Sequence, residues 1–187
     1  MLIDRLLRQG AITEVIGTLS SGRTSLLTRC LREITRRGGA AALIDADHVF
    51  DPASAASAGV DLRRVLWVRC EGRRQAALKA ADLLARCPGF AVVALDVGDS
   101  PPRLSLAAAF RLRLAARRSG VALVVIGSRR IVGGAAALSV QTRRERLAWI
   151  GRGRAPRRLA GMRTGLQLIR KQGAGCSTAV ERLWWTA

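Results

Sequence analysis

The residues best equipped for chemistry stand near the start of the chain, at Gly17-Thr18-Leu19-Ser20-Ser21-Gly22-Arg23-Thr24. Their spacing is that of a phosphate-binding loop, G-x-x-x-x-G-K-[ST], with arginine in the lysine's place. Such a loop is an anion site. A glycine-rich turn aims backbone N–H groups at phosphate oxygens, and the positive end of the following helix reinforces them. A threonine hydroxyl at the position of Thr24 completes the coordination of Mg²⁺. With the lysine replaced, the bland alternative is a Ser/Gly turn that caps an ordinary helix.

The elements needed to position this turn are present in order. The apolar run Ile12–Ile16 reads as a strand ahead of it. Behind it Leu26, Leu27, Cys30, Leu31 and Ile34 fall on one helical face, and Gly38-Gly39 ends the helix. Residues 2–10 read as a short leading helix. Strands follow at Ala40–Ile44, Val65–Val68, Phe90–Leu95 (ending at Asp96) and Val121–Ile126. Between them lie helical patterns at Gly72–Arg86, through Ala76, Leu78, Ala81 and Leu84, and at Leu104–Arg118, with Leu106, Phe110 and Leu114 on one side and arginines on the other. Alternation of this kind predicts an α/β fold with a central, mostly parallel sheet flanked by helices. The last third reads as strands at Arg143–Ile150, Thr164–Arg170 and Ala179–Thr186, an antiparallel extension. The basic segment Gly151–Arg158 reads as a mobile loop between them. The length, 187 residues, predicts one domain over 1–187.

Charge is the strongest bulk signal. The net charge is +19, and every basic residue except Lys79 and Lys171 is arginine. A polyanionic partner follows, nucleic acid first and an acidic protein surface second, against a plain solvated surface. With three Phe, four Trp and no Tyr, base stacking is scarce. Single-stranded DNA would therefore be held electrostatically, with a log–log salt slope of about −0.7 per contact. No apolar run approaches the roughly 20 residues of a membrane span, and no secretory leader is read, so the expected compartment is the cytoplasm. Cys30, Cys70, Cys87 and Cys176 are scattered without a C-x-x-C pair and read as reduced, mostly buried thiols.

Several segments together resemble the core of the bacterial RecA recombinases and their relatives: TEVIGTLSSGRTS, ALIDADHVFDP followed by AGVDLRRVL, AVVALDVGD, Gly133-Gly134-Ala135-Ala136-Ala137-Leu138, and TGLQLIRKQ. The resemblance implies a P-loop ATPase core using ATP and Mg²⁺. It implies that Gly17, Ser20, Ser21, Gly22, Arg23, Thr24 and Ser25 cradle the triphosphate, and that Thr24 and Asp96 serve the metal. It places Asp47 where the family activates the attacking water, and Asp51 where it contacts adenine. Arg170 and Gln172 fall where the family sets two lysines that reach a neighbouring subunit's nucleotide.

The departures from the family pattern point away from a working recombinase. A guanidinium is planar and bulkier than an ammonium, so arginine does not replace lysine conservatively at a phosphate. Asp47 is one methylene shorter than the family's glutamate, and a ~1 Å displacement of a catalytic group costs ~10²-fold. Ser54 stands near the place of an adenine-stacking aromatic, and Gln172 carries no charge. The two loops that grip DNA are reduced to about Val97–Leu104 and Ser128–Val132, and the N-terminal oligomerisation segment and C-terminal domain are expected to be missing. The chain thus resembles a degenerate subgroup, that of ImuA (SulA-like), which supports an error-prone polymerase in damage-induced mutagenesis. The expected function is a non-recombinase accessory in DNA repair, with a RecA-type recombinase or polymerase component as partner. The alternatives are an active DNA-dependent ATPase and a basic interaction module without nucleotide.

Other residues have local roles in prospect. Asp45 is expected to cap or pair nearby, and His48, the sole histidine, to be structural. Asp96 is either a metal ligand or a turn residue before Gly98. Trp184-Trp185 is expected to send one ring inward and one outward.

Overall fold

A computed structural model describes residues 2–151, 158–171 and 180–186. Among these residues eight strands form one sheet. They are β1 (Ile12–Ile16), β2 (Ala40–Asp45), β3 (Val65–Arg69), β4 (Phe90–Asp96), β5 (Ala122–Gly127), β6 (Leu138–Ile150), β7 (Arg158–Lys171) and β8 (Val180–Thr186), in the order β3-β2-β4-β5-β1-β6-β7-β8. Pairing is parallel from β3 through β6 and antiparallel from β6 to β8. Among the described residues five α-helices complete the fold, α1 (Leu2–Leu6), α2 (Arg23–Arg36), α3 (Pro52–Ser57), α4 (Arg74–Arg86) and α5 (Leu106–Ser119), with short 3-10 turns at Leu62–Arg64 and Gly133–Ala135. None of the described helices is long and apolar enough to cross a membrane. The α/β, mostly parallel architecture with antiparallel C-terminal strands is as the pattern predicts.

Strand alternation splits the core in two. Ala41, Leu43, Val92, Ala94, Val124 and Ile126 point to the face covered by α1, α2 and α3. Ala42, Ile44, Val93, Leu95, Leu123 and Val125 point to the face covered by α4 and α5. Because helices cover both faces, the central strands read as continuous apolar runs rather than alternating ones.

Several sequence expectations need correction. Helix α4 buries Ala77, Ala81 and Ala85, while Ala76 is exposed. In α5 the large residues Leu106, Phe110 and Leu114 face solvent, and the helix buries Ala109, Leu112, Ala115 and Ala116 instead. The physical reason is close packing. Alanines on the inner faces let both helices lie near the sheet and each other, since helix separation is set by the side chains at the contact. The segment read as a mobile loop, 151–158, falls mostly outside the described residues, and Arg158 already belongs to β7. Strand β6 begins at Leu138, five residues before its predicted start, because it pairs with β1 from Thr13↔Leu138 onward.

Candidate functional site

The parallel strands that could carry chemistry end at one edge of the sheet. Asp45 and Asp96 are direct ladder partners at the ends of β2 and β4, and Ile16 pairs Gly127 where β1 gives way to the glycine-rich turn. In open α/β sheets this carboxyl edge is where ligands bind.

The turn itself is tightly built. Ser20 (φ 57°) and Gly22 (φ 90°) are left-handed, and Gly22 begins α2 without a side-chain cap. A Cβ on Gly17 would collide with the hydroxyls of Thr142 and Ser21, and one on Gly22 with Thr164. The Ser21 and Thr142 hydroxyls are hydrogen-bonded at 2.7 Å. Trp185 Nε1 donates to Thr164 Oγ1 at 2.9 Å. Strands β6 and β7 therefore hold the turn from beneath. The uncapped N–H groups of α2 and the exposed Thr24 suit an anion and its metal.

The cation position does not. Arg23 is buried, and its Nη1 donates to the turn's own Gly17 carbonyl at 2.7 Å while pairing with Asp99 Oδ1 at 2.8 Å. Asp99 thus supplies the negative charge that a phosphate would bring. The two acidic positions are similarly engaged. Asp47 Oδ1 accepts from Arg74 Nη2 at 2.8 Å, and its carboxyl lies against Gly98, where no Cβ fits. Asp96 Oδ1 accepts the Gly98 N–H at 2.9 Å. Burial pushes the Asp96 carboxyl up to about 6; the Gly98 N–H and Arg23 oppose that shift, and Asp45 and Asp47 add to it. The residues fit a phosphate-bearing ligand at the backbone and at Thr24.

Asp45 is a local cap, as expected. It accepts from the backbone N–H groups of Val49 and Phe50 and from Trp67 Nε1. His48 has φ 61° and stacks on Trp67 at 5.5 Å. Asp51 is the N-cap of α3 and accepts from the Ala53 and Ser54 N–H groups and the Ser54 hydroxyl. These bonds hold its carboxyl below the usual range, the Ser54 hydroxyl contributing most. Asp51 and Ser54 also line a groove of about 890 Å³ that runs past Thr24, Ser25, Arg29 and Arg32 to Trp184 and Trp185. Trp185 turns inward beneath Arg29, and Trp184 turns outward. Arg170 sits in β7 opposite Ser139; Gln172 and Cys176 lie outside the described residues. No cluster of three metal-binding side chains occurs among the described residues.

The sequence reading missed Glu14, Arg74, Asp99, Thr142 and Thr164. Glu14 lies within the run read only as apolar. It is buried and accepts the Ile131 and Val132 N–H groups at 2.6 and 2.8 Å, with Ser139 and Arg130 on its other oxygen. It thereby pins the loop after β5. That loop is also tied to the one after β4: Ser128 N–H and hydroxyl donate to Gly98 and Asp99 carbonyls, and Arg129 donates to the Pro101 carbonyl. A carboxylate in an otherwise apolar strand was the available signal for Glu14.

A glycine-rich strand–turn–helix unit at the carboxyl edge of a mostly parallel sheet defines the class, an α/β protein with a P-loop-type turn. A family model of the RecA N-terminal domain matches residues 6–108. This is more than half the chain, which belongs to that family. Protein RecA of Synechococcus sp. (strain WH7803) is 41% identical over 99 residues, 52% of this chain and 26% of the relative. Protein RecA of Prochlorococcus marinus (strain MIT 9303) is 41% identical over 88 residues, 47% of this chain and 23% of the relative. Protein RecA of Chlorobaculum tepidum is 38% identical over 90 residues, 48% of this chain and 26% of the relative. The chain thus spans about a quarter of the length of these curated relatives.

Proposed function

We propose that residues 1–187 form a single RecA-like core domain that acts as a non-recombinase accessory in the DNA-damage response. It docks on a RecA-type recombinase or an error-prone polymerase component, as the ImuA-like subgroup does, and works in the cytoplasm. The observation that carries this reading is Arg23 closed onto Gly17 and Asp99, with Asp47 held by Arg74. A nucleotide must displace Asp99 from the only side-chain cation of the turn, so ATP and Mg²⁺ bind weakly. Thr24 and Asp96 would hold the metal and Asp51 would meet the base. With Asp47 short and paired, water is poorly activated. Single-stranded DNA is held by charge alone.

The test is turnover by the purified protein with single-stranded DNA, beside a RecA control. The expected rate lies at least ~10²-fold below the control. The double variant Arg23→Lys/Asp99→Ala should bind a fluorescent ATP analogue more tightly than the parent. A parent rate matching the control, and abolished by Asp47→Ala, would refute the reading.

Docking has its own check. Arg170→Ala should weaken capture by a RecA-type filament while the melting temperature stays near that of the parent. Regular helical filaments of this protein alone, seen by negative stain with an ATP analogue and single-stranded DNA, would show that it assembles by itself.

A further inference from the structure

The face of the sheet opposite the glycine-rich turn carries a feature that the nucleotide reading does not use. On α5, Leu106, Phe110 and Leu114 stand at i, i+4 and i+8 and are 67, 43 and 46% exposed. At 1.5 Å per residue this spacing makes a ridge that rises about 12 Å along the helix and slants gently around it. The helix needs none of these side chains for its own packing, because Ala109, Leu112, Ala115 and Ala116 meet the core. Large apolar groups in a row on a solvent face mark an interaction surface rather than scatter.

The flanks of the ridge say what covers it. Helix α5 contains Arg111, Arg113, Arg117 and Arg118 and no carboxylate. At about 100° per residue, Arg113 and Arg117 fall on one side of the ridge and Arg111 on the other, while Arg118, four residues beyond Leu114, ends the row. Arg113 lies over the Phe110 ring at 5.8 Å. Asp82 of α4 faces Arg111 at 3.5 Å and is already shared with Arg86 at 3.1 Å. An apolar ridge between two cationic borders complements an amphipathic helix with leucine-type anchors on one face and acidic residues on both sides of them. A second copy of this chain would bring the same arginines, and +19 of net charge, against them. A nucleic acid would use the arginines and leave the leucines uncovered.

We infer that the α5 ridge is a docking surface for an acidic amphipathic helix of a protein partner. The surface is separate from the glycine-rich turn, so the inference does not depend on whether nucleotide binds. Docking is read by fluorescence anisotropy of the full chain with a labelled acidic peptide of about four helical turns, leucines on one face and glutamates elsewhere. The controls are a scrambled peptide of the same composition and a peptide with the leucine pattern but lysines for glutamates.

The patterned acidic peptide should bind, the scrambled one at least about tenfold more weakly, and the lysine one not at all. Phe110→Ser should weaken binding at least about tenfold, with an unchanged circular dichroism spectrum. Leu106→Ser, at a still more exposed position, is the second variant. Equal affinity for the scrambled peptide, or for Phe110→Ser, overturns the inference. So does an oligonucleotide that competes with the peptide and itself loses affinity in Phe110→Ser, which would make the ridge a nucleic-acid surface. A concentration-dependent dimer abolished by Phe110→Ser would assign the ridge to a second copy and overturn it equally.

Discussion

Glu14→Ala will lower the stability of the chain by roughly 3–5 kcal/mol, read as a shift of the denaturant midpoint at unchanged slope. The residue is 1% exposed and sits in the central strand β1, so the alanine leaves a cavity inside the fold. It also strips the acceptor from two backbone N–H groups, Ile131 and Val132, and from the Ser139 hydroxyl. A buried donor left without a partner costs about 1–3 kcal/mol, more than the bond contributed when made. Glu14→Gln keeps one carbonyl acceptor and should cost about 1–2 kcal/mol. In the Glu14→Gln variant, amide exchange at Ile131 and Val132 should quicken before that of β4 or β5. A Glu14→Ala midpoint within error of the parent would mean that the loop after β5 is held by other contacts.

The second large effect concerns pH. The Asp96 carboxyl titrates at about 6 instead of 3.8, chiefly because it is buried. A carboxyl whose folded pKa is raised contributes stability that is fully present below its unfolded pKa and lost as pH rises through the folded one. In chelator and without nucleotide, the parent chain should therefore lose stability between about pH 4 and pH 7. A shift of this size corresponds to roughly 3 kcal/mol. Asp96→Asn keeps an oxygen for the Gly98 N–H and carries no charge. It should match the parent near pH 4 and exceed it by roughly 2–3 kcal/mol at about pH 8. Parallel stability curves for the two proteins would show that the Asp96 charge is compensated in the fold. Arg23 is the natural compensator, but its guanidinium is shared with Asp99 and Gly17.

The strands and the turn were legible because their signals are local. Short apolar runs, glycine spacing at Gly17 and Gly22 and an acid at a strand end all lie within a few residues of one another. What decides the chemistry of the site is not local. Arg74 reaches Asp47 across 27 positions and Ile131 reaches Glu14 across 117, so no window of sequence contains both partners. Asp99 lay in plain view, yet its role depends on where the short loop after β4 folds back. Helix α5 shows a different limit. Its periodicity offers two stripes, one of leucine and phenylalanine and one mainly of alanine, and hydrophobicity favours the larger side chains. The small stripe goes inward because α4, the sheet and the segment around Val132 and Ala135 all pack against it, and these partners are distant in sequence.

The bond from Trp185 to Thr164 has a use in spectroscopy. Thr164 stands against Gly22, so the indole is one side chain removed from the turn. A movement of that turn, whether from a phosphate or from release of Arg23, would alter the indole's polar neighbour and with it the wavelength of its emission. The other three would blur that signal: Trp67 packs against His48 and Phe50, and the half-exposed Trp149 and Trp184 line the grooves beside Ser20, Thr24 and Ser25. Replacing those three by phenylalanine leaves a chain whose intrinsic fluorescence follows the turn without an added label.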